Sequence, residues 1–393
     1  MRKSRLPKGG TNLFQEIKAV SSKAQEAGIK LIKLSIGQPA GPALLSARTV
    51  AAEAIMFGDE KWHEYQDNTC VAIPDFAPRF VAGHFSSVLL EGVDYLPIPG
   101  IKSMMPVVIM ACGDKLKVVA THTNPGYPTP AYWVKKLGKG LFEPETTPEN
   151  KFLFNPRSLG RNSLGKVGLV MTNIPHNPSG AVAGVEWWIK LCHYCQKHNI
   201  RLWNDAAYGA MNYGPDSCLL SQVAPNFTNL SWGEAFSASK LIGNGTGWRV
   251  GAMVGSPDFI GDIKTIKGNL DSGFAAPLAA GALYALEHDA VGIINIVDRY
   301  HSRSGQLCNI LSNAGMRLAL EPRAGFFTLW QTPKYTFGKK VKSARDFNFA
   351  MIENTGLVGV HFDPYIRYAV AYSDIQAVAD EIKVAFAKAE VSY

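Results

Sequence analysis

VGLVMTNIPHNPSGAVAGVEWWIKLCHYCQKHNIRLWNDAAYG, residues 167–209, is the stretch that decides the fold. It opens on an apolar run, breaks at a Pro- and Gly-rich turn, and takes up helical spacing from Val185. A second apolar run, IRLW, comes next and ends at Asn204 and Asp205. Strand, crossover helix and strand make a βαβ unit. Strands that read as near-continuous apolar runs are buried on both faces of a parallel sheet. In open α/β sheets ligands sit at the carboxyl ends of strands, which makes Asn177 and Asp205 candidate site residues.

Working outward, KVVATH (117–122) and GAMVG (251–255) supply further short strands bounded by turn signals. From about residue 290 the pattern changes. A long helix through residues 293–315 precedes RLALEPRAGFFTLWQTP (317–333), which reads as antiparallel strands, and a closing helix over 374–390. This is a smaller α+β unit. A helix over 13–28 and a strand LIKLSIGQP (31–39) open the chain and are expected to pack against that C-terminal unit. The expectation is an α/β protein with a mostly parallel central sheet flanked by helices, and a smaller α+β domain drawn from both termini. The expected spans are 1–45 for the arm and part of the small domain, 46–288 for the large domain, and 289–393 for the C-terminal small domain.

The 393 residues are 47% hydrophobic and 18% charged, which excludes disordered and fibrous classes. The net charge of +8 is spread along the chain. Only MRKSRLPK at the start clusters, and it reads as a solvated arm, so no nucleic-acid partner is expected. No apolar run spans a bilayer, no membrane partner is expected, and no apolar h-region comes after the basic start. Six cysteines in so long a chain do not make a disulfide framework. Cys192 and Cys195 form a C-x-x-C inside one helical stretch without a second ligand pair, so the pair reads as structural and no metal is expected. Reduced thiols and a cytoplasmic location are the corresponding expectations.

Four segments carry chemistry. Asn177-Pro178-Ser179-Gly180 is a turn; its amide either only shapes that turn or donates to a phenolic oxygen. Asp205 ends a buried strand with Tyr208 three residues on; it caps a following helix or pairs with a buried cation such as a pyridinium nitrogen. In FSASKLIGNGTGWRVG (236–251), Ser237, Ser239 and Lys240 precede a Gly-rich turn and Arg249. Lys240 is either a surface lysine or a shielded amine of lowered pKa able to form an imine, and the hydroxyls and guanidinium suit a phosphate. Gly100, Ile101 and Lys102 lead into a helical run whose N-terminus suits the same anion.

Taken in order along nearly the whole chain, these segments resemble the class I and II aminotransferases of pyridoxal-5′-phosphate (PLP) fold type I. That family's N-P-[ST]-G, D-x-x-Y, and S-x-S-K with G-x-R-x-G match residues 177–180, 205–208, 237–240 and 247–251. The resemblance implies PLP held as a Schiff base on Lys240, with Asp205 on the ring nitrogen and Asn177 and Tyr208 on the ring oxygen. It places Tyr127 of NPGYP on the ring face, and Tyr65 of EYQDN against a neighbouring subunit's phosphate. Gly37 of LSIGQP and Arg367 of PYIRYAVAYS then meet the substrate carboxylate. The implied partners are an amino acid and a 2-oxo acid, and the implied assembly is a homodimer with shared active sites.

The chain also departs from the pattern. The Lys240–Arg249 loop is one residue longer than usual, the P-G-x-x-F-G element ahead of the arginine is absent, and no glycine comes after Tyr65. Within the family, GGTNLFQEI (9–17) and the Gly-Ile-Lys loop are similar to LL-diaminopimelate aminotransferases. Aspartate or aromatic aminotransferases, a PLP-dependent C–S lyase on the same fold, and a non-catalytic PLP-sensing module are the alternatives.

Overall fold

A computed structural model describes residues 13–84, 90–214 and 216–393. The basic start and residues 9–12 lie outside the described residues. After the helix Leu13–Glu26 comes a short strand, β1 (Ile32–Lys33). The main sheet takes β2 (Asp94–Ile98), β3 (Val118–Thr121), β4 (Gly140–Phe142), β5 (Val167–Asn173), β6 (Arg201–Asp205), β7 (Trp232–Ser237) and β8 (Gly251–Gly255). Their spatial order is β2-β8-β7-β6-β5-β3-β4. The five strands from β7 to β4 run parallel, whereas β8 is antiparallel to both of its neighbours.

Period-two alternation divides the strand residues between two core layers. Val118, Ala120, Val170, Leu202 and Phe236 join the layer that holds Trp188 and Leu191 of the helix Val185–His198. Val119, Leu169, Met171, Trp203 and Ala235 face the other layer, with Met104 and Val108 of the helix Ile101–Ala111. Each large side chain fully buried there contributes about 1.5–3 kcal/mol relative to exposure. Both faces are therefore covered, as continuous apolar strands require.

The C-terminal unit comes after the helix Ala290–Asn313. It holds β9 (Leu318–Leu320), β10 (Phe327–Gln331), a small hairpin of β11 (Tyr335–Thr336) and β12 (Lys339–Lys340), then β13 (Leu357–Val358), β14 (Val360–Phe362) and β15 (Tyr365–Ala369). Strands β14-β15-β10-β9 make an antiparallel sheet. β1 pairs in parallel with β13, and Ile17 and Ala24 of the first helix pack with Ile352 and Val358. The N-terminal segment thus joins the C-terminal unit, as its sequence suggested.

Two expectations need correction. The strand read over 31–39 pairs only at Ile32 and Lys33. Beyond them only isolated backbone bonds remain, such as Ala369 N–H to the Leu34 carbonyl, while the Ser35 carbonyl is taken by Arg367 and the Gly37 carbonyl by Lys240. The closing helix begins at Ala379 rather than 374, because Asp374 turns the chain first by accepting from the Gln376 N–H.

Candidate functional site

The strand order reverses between β3, which neighbours β4 on one side, and β5 on the other. A crevice opens at the carboxyl ends of parallel strands at such a point. Asn173 ends β5 and pins the turn beyond it: its Nδ2 donates to the Asp205 carbonyl (2.9 Å) and its Oδ1 accepts from the Asn177 N–H (3.0 Å). The turn is stiffened from below by His176, whose ring lies 4.0 Å from that of His122 at an interplanar angle of 1° and whose Nδ1 meets Ser179 Oγ at 2.7 Å. Burial pushes both imidazoles down, His122 to about 4.

Asn177 is held facing Arg367. Its Oδ1 accepts from Nη1 of that residue at 2.9 Å, while Nη2 donates to the Ser35 carbonyl at 2.9 Å. The guanidinium carbon stands 4.3 Å from the centre of the Phe327 ring, and the residue is 2% exposed. Burial pulls Arg367 down to about 10. At neutral pH it is a desolvated planar cation, suited to a carboxylate.

Asp205 ends β6 and is buried. One carboxylate oxygen accepts from the Ala207 N–H at 3.0 Å. Burial pushes its carboxyl up to about 7, against the opposing effects of that hydrogen bond and of Lys240. Lys240 comes after β7 on the one-turn helix Ala238–Leu241, whose N-cap Ser237 accepts from the Ser239 N–H (3.1 Å) and donates to Ser239 Oγ (2.8 Å). Lys240 Nζ donates to the Gly37 carbonyl at 2.7 Å. Burial, then the charges of Arg249 and Arg367, lower its ammonium to about 8, so a sizeable neutral fraction exists near physiological pH.

Gly100 caps the helix Ile101–Ala111 with φ of 81°, and a Cβ there would come 2.3 Å from Arg249 Nη2. Only glycine lets the guanidinium cross the first turn, where it donates to the Thr246 (2.9 Å) and Pro99 (3.2 Å) carbonyls. Helix N–H groups and an arginine then converge, as an anion requires.

These groups line one cavity of about 870 Å³. Every residue nominated from sequence borders it except Gly100, which abuts Arg249, and Tyr65, which is 78% exposed and lies outside. Tyr127 and Tyr208 form part of its wall, and burial raises the Tyr208 hydroxyl. Sequence reasoning missed Asn173, Ser35 and Phe327, as well as Lys18, Ser21 and Lys33 on the far wall. Phe14, Ile17, Lys18 and Ser21 show the i, i+3, i+4, i+7 stripe of a helix face, which was legible; what the face looks onto was not. Among the described residues, no group of His, Cys, Asp or Glu is placed to hold a metal. Cys192 and Cys195 are buried in the core face of their helix.

The family described as aminotransferase class I and II matches residues 29–373. An LL-diaminopimelate aminotransferase of Natranaerobius thermophilus is 28% identical, covering 96% of this chain and 95% of its own. One from Methanocaldococcus jannaschii is 26% identical over 91% and 85% respectively. Among solved structures, substrate-bound BacF from Bacillus subtilis superposes with a TM-score of 0.85 at 20% identity, covering 98% of both chains. A single mutant of Thermus thermophilus aspartate aminotransferase does so with 0.81 at 19% identity, covering 97% of this chain and 96% of its own.

Proposed function

The chain belongs to the class I and II aminotransferases and is a PLP-dependent transaminase; we propose that it moves an amino group between LL-diaminopimelate and 2-oxoglutarate. The substrate pair is supported by the names of full-length relatives, and the reaction by the convergence of Lys240, Asp205 and Arg367 on one cavity.

The residues present fit the cofactor. Asp205 is a buried carboxylate with one backbone donor, and a protonated ring nitrogen is the partner it lacks. The crossing of Arg249 over Gly100 suits the phosphate, alongside the N–H groups of Ile101 and Lys102 and the hydroxyls of Ser237 and Ser239. Bound PLP supplies the electron sink for charge left at Cα when its proton is removed. Lys240 Nζ would be the attachment point for the cofactor and, once released, the base that takes the substrate's Cα proton and delivers it to the cofactor carbon on the far side of the amino nitrogen. Asp205 keeps the proton on the ring nitrogen. Asn177, whose Oδ1 is engaged by Arg367, would have its Nδ2 left for the ring oxygen, and Tyr208, which lines the same cavity, would share that oxygen through its hydroxyl. Tyr127 would pack on the ring face, and Arg367 would fix the substrate carboxylate next to Gly37.

A homodimer belongs to the same reading. Ile55, Met56, Phe57, Tyr65 and Val71 are large apolar side chains exposed within one short stretch, which marks a surface for association. Tyr65 would then serve the neighbouring subunit's phosphate. Six cysteines, all free, suit the cytoplasm. No helix among the described residues is long and apolar enough to cross a membrane, and the reading calls on neither membrane nor nucleic acid.

The test is an absorption spectrum of purified protein while diaminopimelate, glutamate, aspartate and phenylalanine are added in turn. A visible band that diaminopimelate bleaches best supports the reading; preference for aspartate or phenylalanine overturns the substrate. Borohydride reduction should leave the cofactor's mass on the peptide containing Lys240. Lys240→Ala should lose both the adduct and turnover, and normal turnover in that variant would sink the assignment.

A further inference from the structure

Among the described residues, the cavity is lined by six cationic side chains, Lys18, Lys33, Lys102, Lys240, Arg249 and Arg367, against a single carboxylate, Asp205. The proposed chemistry employs four of them: Lys240 for the cofactor carbon, Arg249 and Lys102 for its phosphate, and Arg367 for the substrate's α-carboxylate. Lys18 and Lys33 are left without a task.

Both stand on one wall. Lys18 lies on the stripe of the helix Leu13–Glu26 that borders the cavity, one helical turn before Ser21. On β1 the alternation sends Ile32 into the small-unit core and turns Lys33, with Leu31, to the cavity. Both lysines are exposed to water, and neither ammonium has a hydrogen-bond or ion-pair partner among the described residues. Ser21 Oγ is buried and also unpartnered, and a hydroxyl left so is costly until something accepts or donates to it. The rest of the wall is apolar, through Phe14, Ile17 and Leu31. A methylene chain can run along it to the charged end.

We propose that Lys18 and Lys33, together with the Ser21 hydroxyl, form a second anion site that takes the distal carboxylate of a dicarboxylic substrate held at its other end by Arg367. This rests on the transaminase reading of the site. It makes the N-terminal helix and β1 the segment that sets specificity, since each contributes one cation facing the cavity.

The experiment compares holoenzyme with a Lys18→Gln, Lys33→Gln double variant in the amino-donor half-reaction. The dicarboxylic donors are glutamate and diaminopimelate; the monocarboxylic donors are alanine and phenylalanine. kcat/KM for the dicarboxylic donors should fall by about threefold to tenfold, the range for two charge pairs that water also reaches. The monocarboxylic donors should be unaffected, and Lys18→Arg with Lys33→Arg should restore much of the loss. An equal fall for both classes, no fall for either, or a wild type indifferent to the second carboxylate overturns the anion site while leaving the transaminase standing. A wild type that reacts with no amino acid overturns the transaminase reading, and the anion site falls with it.

Discussion

Asp205 and Glu234 are both buried carboxylates, on neighbouring strands β6 and β7, yet they are treated in opposite ways. Glu234 is surrounded by donors: Asn204 Nδ2 at 2.6 Å, the Leu220 N–H at 3.1 Å, the Ser221 N–H at 2.8 Å and the Ser221 hydroxyl. Burial pushes its carboxyl up while those donors pull it back. Asp205 receives one backbone N–H and faces a cavity. A buried carboxylate whose lone pairs are filled from its own chain is part of the scaffold. One left short of donors at a cavity wall is waiting for a ligand.

Three measurements would break or sharpen that contrast. The largest effect is expected from Asp205→Ala, which should lower kcat/KM by about a hundredfold to a thousandfold, the scale of one preorganised electrostatic partner. A fall below about tenfold would remove Asp205 from the reaction. Next, Glu234→Ala should leave turnover per folded molecule intact but destabilise the protein by about 3 kcal/mol, through buried donors left unpaired. Calorimetry alongside an activity titration checks this, and the opposite pattern would merge the two roles.

The smallest effect concerns the cofactor-free protein, compared with its Asp205→Asn variant as pH rises. The folded carboxyl titrates at about 7, above the unfolded value of about 3.9. Its stabilising contribution is therefore complete below pH ~4 and is lost as pH climbs through 7. The variant should gain on the wild type across that window by about 2 kcal/mol, allowing for water in the open cavity. Unfolding curves that stay parallel from acid to neutral pH would show that Asp205 is not destabilised by the empty pocket.

The same pair explains what was legible in the sequence. Strands β3, β5, β6 and β8 were readable because their apolar runs are unbroken. β7 was not read as a strand: Glu234 interrupts WGEAFS, and only donors from distant loops make it tolerable there. β2 was hidden by Pro97, an edge-strand proline, and β4 is three residues long. Lys240, Asp205, Asn177 and Arg249 were visible because each belongs to a local motif on one segment. Asn173, Ser35 and Phe327 act by holding residues that motifs had already found, and nothing local marks them. The Lys18–Lys33 wall was invisible for a different reason: it exists only because β1 pairs with a strand 325 residues later, Ile32 opposite Leu357.

The guanidinium carbon of Arg367 stands 4.3 Å from the centre of the Phe327 ring and 5.6 Å from that of Phe362. Its hydration shell is removed when the chain folds, not when substrate arrives. The free energy of drying that cation is thus carried by the stability of the C-terminal unit. An arriving carboxylate sheds only its own water, and meets a fork whose rotational freedom was surrendered earlier to Asn177 and Ser35.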